Sequence, residues 1–275
     1  MRPRVMGVLN VTPDSFYDGG LFLDEQRAVA HGLDMARHGA DVVDVGGESS
    51  RPGAEPVSER EELARVVPVV AALAGHVRVS IDTVKRAVAE AAVDAGATLV
   101  NDISASLWPV AAESGVGWVA MHMQGAPRTM QHDPRYGDVV AEVHGFLRDR
   151  ARRALEAGVD EVWVDPGIGF GKTSEHNLAL LLHLPELVTD GLPVLVGTSR
   201  KTFLGRLAAG PGGEPGPATD RLAGSIATAT WAMLAGASMV RVHDVSSAVE
   251  AATLVGTTRL GVPGPRPAVR SGAES

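Results

Sequence analysis

One feature constrains this chain more than any other: short β-branched runs alternate with helical stretches from one end to the other. The runs fall at residues 5–9, 42–45, 77–81, 98–100, 117–121, 161–164, 194–196 and 239–242. Between most of them, at 28–38, 59–73 and 139–157 for example, apolar residues stand three or four apart, the spacing of a helix with one buried face. Strands covered by helices on both faces read as continuous apolar runs. Eight of them separated by helices predict the α/β class and, within it, a closed TIM (β/α)8 barrel. Four runs follow a similar tripeptide, Gly39-Ala-Asp, Gly96-Ala-Thr, Gly158-Val-Asp and Gly236-Ala-Ser. Each glycine suits the left-handed position that ends a helix before the chain turns into a strand. The repetition and the length of 275 residues predict a single domain, a barrel over 1–262 with a flexible tail at 263–275. The segment 210–219, rich in glycine and proline, is expected to be irregular, and the helix near 107–114 is the shortest expected.

Each run leads into a polar or charged group: Asn10, Asp44, Asp82, Asn101, His122, Asp165, then Ser199 with Arg200 and Lys201, and Arg241 with His243. Barrel enzymes build their sites on the face where strands end, so this rim is the expected site. The plainer alternative is that two or three of these groups merely cap helices or hold neighbouring loops. Composition narrows the chemistry. A net charge of −8 carries no nucleic-acid footprint, and the lack of cysteine removes disulfides, thiolate metal sites and cysteine nucleophiles. No apolar run approaches membrane-spanning length, and residues 1–10 lack the apolar region of a secretory signal, so the cytoplasm is the expected compartment.

Asp165-Pro-Gly-Ile-Gly-Phe-Gly-Lys-Thr173 superficially suggests a phosphate loop. A P-loop needs glycine five places before the Gly-Lys pair, where Pro166 stands, and the dinucleotide pattern fails because the spacing is G-x-G-x-G. What remains is an aspartate at a strand end and a loop that lets backbone approach a ligand closely, or simply a tight turn. Arg200-Lys201 stands beside a strand end and a helix start, where cations and backbone N–H groups suit an anion. Arg241 and His243 alternate along one strand and so share a face fit for phosphate. Asp82, Asn101 and Asp165 offer paired acceptors and an amide, a match for the 2-amino-4-oxo edge of a pterin or guanine. Metal-ligand spacing such as H-E-x-x-H is absent.

On these residues the sequence resembles the dihydropteroate synthases, the pterin-binding barrels inhibited by sulfonamides. The likeness rests on eight motifs in order: Gly7-Val-Leu-Asn-Val-Thr-Pro-Asp-Ser-Phe16, Val45-Gly-Gly-Glu-Ser-Ser-Arg-Pro-Gly53, Ser80-Ile-Asp-Thr83, Val100-Asn-Asp-Ile103, Met121-His-Met-Gln-Gly125, 165–172, 199–205 and Arg241-Val-His-Asp244. It implies condensation of 6-hydroxymethyl-7,8-dihydropterin diphosphate with 4-aminobenzoate to give 7,8-dihydropteroate and diphosphate, a step of folate biosynthesis. It implies a pterin pocket of Asp82, Asn101, Ile103, Met121, Asp165, Lys201 and Arg241. The diphosphate would meet Asn10, Arg51, Arg241 and His243, with Mg²⁺ held by Asn10 and phosphate oxygens. The aminobenzoate, and sulfonamides in its place, would meet Ser50, Pro52, Phe170 and Thr202. Asp14 and Phe16, with Arg51 and Lys201, would serve the chemical step. Ser50 stands where the family often has threonine and Thr202 where it often has serine, each keeping the hydroxyl.

Residues 220–235 are small or apolar nearly all round, which predicts a helix buried on more than one side and a homodimer formed through it. Two alternatives share the pterin pocket: a methyltetrahydrofolate:corrinoid protein methyltransferase-like barrel, and a non-catalytic pterin-binding relative. The first has no use for the cations at 199–201 and 241–243.

Overall fold

Strands and helices alternate as the sequence predicts, in a computed structural model that describes residues 2–12, 20–49, 55–210 and 213–258. The strands are β1 (Arg4–Asn10), β2 (Val42–Gly46), β3 (Arg78–Asp82), β4 (Leu99–Asp102), β5 (Gly117–Met121), β6 (Val162–Asp165), β7 (Leu195–Val196) and β8 (Met239–Val242). Between and after them run α1 (Gly20–Arg37), α2 (Glu59–Leu73), α3 (Arg86–Asp94), α4 (Trp108–Ser114), α5 (Val139–Glu156), α6 (Ser174–Leu182), α7 (Leu184–Val188), α8 (Thr202–Ala209), α9 (Leu222–Leu234) and α10 (Val245–Thr258). All pairings are parallel. β1 to β6 lie in chain order, β1 also pairs with β8, and β8 with β7. The ring closes through one bridge between Val164 and Val194, where the Val164 amide donates to the Pro193 carbonyl at 3.1 Å. That seam is narrow, since β1 and β2 share five register pairs.

Strand side chains alternate between two faces, and the two faces bury different cores. Val43, Val45, Val79, Ile81, Val162 and Val164 join the large apolar core shared with the helices. Met6, Val42, Leu99, Val119, Trp163, Leu195 and Met239 form a separate cluster that fills the lumen. Moving two residues toward the strand ends keeps the same face, and the lumen layer becomes Val8, Asp44, Asn101, Met121, Asp165, Gly197 and Arg241. Asp82 lies level with Asn101 in the β3–β4 register, and Asn10 and Gly46 stand at the same height on β1 and β2. The lower lumen is therefore apolar and the upper lumen polar.

The four recurrent glycines have φ of +92°, +112°, +92° and +110°, a region in which a side chain is strained. The short α4 forms after Leu107 and ends at Gly115. Residues 213–217 are irregular, and a 3-10 turn, Ala218–Arg221, leads into α9. The predicted tail at 263–275 lies outside the described residues. Among those described, no helix is long and apolar enough to cross a membrane.

Candidate active site at the carboxyl end of the barrel

Arg241 is the hub of the upper lumen. Its Nε donates to Asp44 Oδ2 at 2.6 Å and its Nη2 to Asp82 Oδ2 at 2.7 Å. Asn101 Nδ2 donates to the same Asp44 oxygen at 2.8 Å. Groups from β2, β3, β4 and β8 thus meet in one cluster, although Asp44 and Arg241 are 197 positions apart. Gly197 on β7's exit passes close beside it: a β-carbon there would lie in ordinary contact, 3.6 Å from Arg241 Cβ and 3.8 Å from Lys201 Nζ. Met121 ends β5 in register with Asp165, and Ile103 follows β4 on the Asn101 face, both almost fully buried. The turn carrying Ile103 is pinned by Asp102, whose carboxylate accepts from the Ser106 amide at 2.7 Å and the Leu107 amide at 2.6 Å.

The loop after β6 forms the adjoining wall. Asp165 Oδ1 accepts from the Gly167 amide at 2.7 Å, which turns the chain sharply at the strand end. Lys172 folds back beneath the loop, 2% exposed, and its ammonium donates to the carbonyls of Gly167 at 3.0 Å, Phe170 at 3.1 Å and His122 at 3.2 Å. His122 Nδ1 lies a further 3.0 Å away. From outside, Asn177 accepts from the Gly169 amide, Gln131 donates to the Gly169 carbonyl and Tyr136 donates to that of Gly171. Gly167 has φ +65°, and a β-carbon there would stand 1.8 Å from the His122 carbonyl oxygen. The loop in turn fixes Lys201: its ammonium donates to the Ile168 carbonyl and lies 4.5 Å from the centre of the Phe170 ring.

Charges are packed tightly enough to move ionisation. Burial pushes the Asp82 carboxyl up against the pull of Arg241, and Asp44, Glu62 and Asp102 add repulsion. Burial also raises Asp165, opposed by Lys201 and by the Gly167 amide. Lys201 is brought down by burial to about 8 although Asp165 holds its charge, and Lys172 by burial to about 7. His122 falls to about 3 through burial and the adjacent Lys172, so it is neutral. Arg241 resists the burial that disfavours its charge because Asp44 and Asp82 raise it. The arrangement offers fixed acceptors, a fixed amide and cations in one concavity, suited to a flat polar ligand with an anionic arm.

Most residues singled out in the sequence meet here. Asp82, Asn101, Ile103, Met121, Asp165, Lys201 and Arg241 line the upper lumen or its wall, with Asn10 at the end of β1. His243 stands just beyond β8, its Nδ1 3.0 Å from Ser199 Oγ. Phe170 is half-buried under Lys201, and Thr202 is exposed at the first position of α8. Asp14, Phe16, Ser50, Arg51 and Pro52 lie outside the described residues. One expectation needs correction: Arg200 and Lys201 do not act as a pair. The Arg200 guanidinium, on a residue with φ of +57°, is engaged by Asp244 at 2.6 and 3.1 Å, whereas the Lys201 ammonium donates to the Ile168 carbonyl. The sequence reading also gave no role to Asp44 or to the Lys172 staple. A carboxylate inside an otherwise apolar strand, Val-Val-Asp-Val-Gly, was the available signal for Asp44.

The family described as pterin binding enzyme matches residues 6–243. The dihydropteroate synthase of Mycobacterium leprae (strain TN) is 50% identical over 92% of each chain. A Yersinia pestis dihydropteroate synthase solved with a sulfonamide drug superposes with a TM-score of 0.86, at 46% identity, over 94% of this chain and 95% of its own. The Xanthomonas albilineans enzyme in complex with 7,8-dihydropteroate gives 0.82 at 43% identity, over 95% of each chain. Matched by that family model from residue 6 to 243 and by relatives this near over almost its whole length, the chain belongs to the dihydropteroate synthase family of pterin-binding enzymes.

Proposed function

We propose that this chain is a cytoplasmic transferase that joins 6-hydroxymethyl-7,8-dihydropterin diphosphate to 4-aminobenzoate, releasing diphosphate and forming 7,8-dihydropteroate. One observation carries the reading. Arg241 is hydrogen-bonded at once to Asp44 and Asp82, so the acceptors for a pterin edge and a cation for an anionic arm share one mouth. In this reading Asp82 and Asp165 accept the N–H groups of the pterin edge, Asn101 supplies its amide, and Ile103, Met121 and the Arg241 plane enclose the ring. The diphosphate lies toward Asn10, Arg241 and His243, joined by Arg51. The aminobenzoate rests against Phe170 and Thr202, joined by Ser50 and Pro52, and a sulfonamide competes for the same place.

The reaction then needs little base strength. The bond between the pterin methylene carbon and the diphosphate oxygen breaks, its electron pair leaves with diphosphate, and the electron-rich ring shares the positive charge. The aminobenzoate nitrogen bonds to that carbon and loses a proton. Lys201 and Arg241 hold charge that develops on the departing oxygens, and the loop of 166–172 keeps the partners aligned, so catalysis rests on positioning and electrostatics. Asp14 and Phe16 complete the reading by covering the methylene carbon against water. Among the described residues no cluster of three or more carboxylate or histidine groups is placed to hold a metal. A single neutral oxygen at Asn10 suits Mg²⁺, which keeps water and substrate oxygens as ligands. Bound there with the substrate, Mg²⁺ would neutralise the leaving group.

α9 is read as the contact of a homodimer, since Trp231 and Leu234 are exposed on it and Leu254 on the adjacent α10. A monomeric mass at micromolar concentration would reject that contact. Activity is tested by mixing both substrates with the purified chain and following diphosphate. Release in step with dihydropteroate is expected, and a flat trace at micromolar enzyme would reject the function.

A further inference from the structure

Asp44 sits beneath the site and takes no part in the reaction as written above. It lies in the middle of β2, faces the lumen and is 0% exposed. Its Oδ2 receives two hydrogen bonds, from Asn101 Nδ2 and from Arg241 Nε. An ionised carboxylate can only accept. The Asn101 amide must therefore turn its nitrogen toward Asp44, which leaves its oxygen aimed elsewhere. An asparagine without such a partner has two amide orientations close in energy and would present a ligand with either.

The two carboxylates on Arg241 differ in access. The Asp82 side chain is 11% exposed at the end of β3, whereas the Asp44 side chain is sealed. A ligand bringing N–H donors to Asp82 competes there with Arg241 Nη2. The bond from Nε to Asp44 lies one layer lower, out of reach. With Asp44 in place, Asp82 can exchange the arginine for a ligand while the arginine keeps one hydrogen-bonded carboxylate.

We propose that Asp44 is a positioning residue for the pterin half of the site: it locks the Asn101 amide in one orientation and holds Arg241 against the wall while Asp82 turns to the ligand. The inference rests on the function proposed above and deepens it. Without Asp44, Asp82 would be the one carboxylate hydrogen-bonded to Arg241 among the described residues, and binding would strip a buried guanidinium of its partner.

The test is Asp44→Asn, which takes the negative charge off the one oxygen that both donors share and lets the side chain present an amide nitrogen to them instead. Binding of 6-hydroxymethylpterin is measured by titration calorimetry, and the KM for 4-aminobenzoate by steady-state kinetics. Pterin affinity is expected to fall tenfold or more while the aminobenzoate KM stays within twofold. Ser80→Ala is the control. Ser80 is equally buried, sits in register with Asp44 on β3 and has no hydrogen bond to Asn101 or Arg241, so its loss should leave pterin affinity within twofold. If Asp44→Asn does not fold, Asp44→Ser, which keeps a small acceptor but no charge, is expected to show the same split. Unchanged pterin affinity, equal weakening toward both substrates, or the same loss in Ser80→Ala would each overturn the role. Failure of the wild-type chain to bind the pterin would instead reject the function proposed above.

Discussion

Replacing Asp82 with asparagine should weaken pterin binding and, in the same molecule, relieve the empty fold above neutral pH. Asp82 ends β3 with Arg241 Nη2 2.7 Å from its carboxylate, yet burial raises its carboxyl beyond what the arginine restores. A carboxyl raised on folding contributes stability that is fully present below its unfolded value near 4, and that contribution is lost as pH rises through the folded value. Each unit of displacement corresponds to about 1.4 kcal/mol. Asparagine cannot ionise and its oxygen still accepts from Arg241, so the variant escapes this decline and should be more stable than wild type at pH 8, by ~1 kcal/mol or more. Binding moves the other way. Each hydrogen bond from a ligand N–H to a charged acceptor contributes about 1.5–3 kcal/mol. Two such bonds are weakened when the amide turns a donor toward a donor, so a loss of ~3 kcal/mol, about 100-fold in Kd, is expected. Urea unfolding at pH 5 and pH 8 measures the first effect and titration calorimetry with the pterin the second. Pterin affinity within threefold of wild type, or a variant less stable than wild type at pH 8, would refute the reasoning.

Lys172→Met removes the nitrogen shared by the carbonyls of Gly167, Phe170 and His122, and should lower stability by about 2 kcal/mol at pH 10 in chemical unfolding, where the wild type no longer buries a charge. Because burial brings Lys172 down to about 7, its folded value lies below its unfolded one, so wild-type stability should gain a rising component from about pH 7 toward pH 10, absent from the variant's profile. Gly167→Ala drives a β-carbon into the His122 carbonyl at a φ of +65°; expected are a loss of more than ~2 kcal/mol and a collapse of turnover, and a variant of wild-type Tm and activity would show that the loop relaxes freely.

The barrel was legible because two periodicities, that of buried strands and that of covering helices, repeat down the chain with a glycine at four joints. Strand ends also announced the rim, since an apolar run that stops at Asp82, Asn101 or Asp165 marks where the lumen turns polar. What escaped depends on contacts between distant positions. Nothing around residue 200 announces that Asp244 will take its guanidinium, 44 positions later. Nothing beside Lys172 announces that the fold will turn it under its own loop, onto the carbonyls of Gly167, Phe170 and His122. Another buried pair was equally hidden: Glu62, 1% exposed on α2, meets Lys85 and the Thr83 hydroxyl beyond β3 and joins the stems of two loops. β7 was read one residue too long, because Pro193 cannot donate and Gly197 follows, so regular pairing is confined to two residues.

That short strand gives the ring a preferred place to breathe. Between β6 and β7 one bridge does what whole ladders do elsewhere, so separation of neighbouring staves should begin at the Val164 amide. Asp165 stands on one bank of this gap, and Lys201 and Arg241 on the other. A molecule gripped from both banks acts as a clasp across the weakest joint, and the empty barrel should flex there more than the filled one. Tightness of the ring and occupancy of its mouth are then two readings of a single equilibrium.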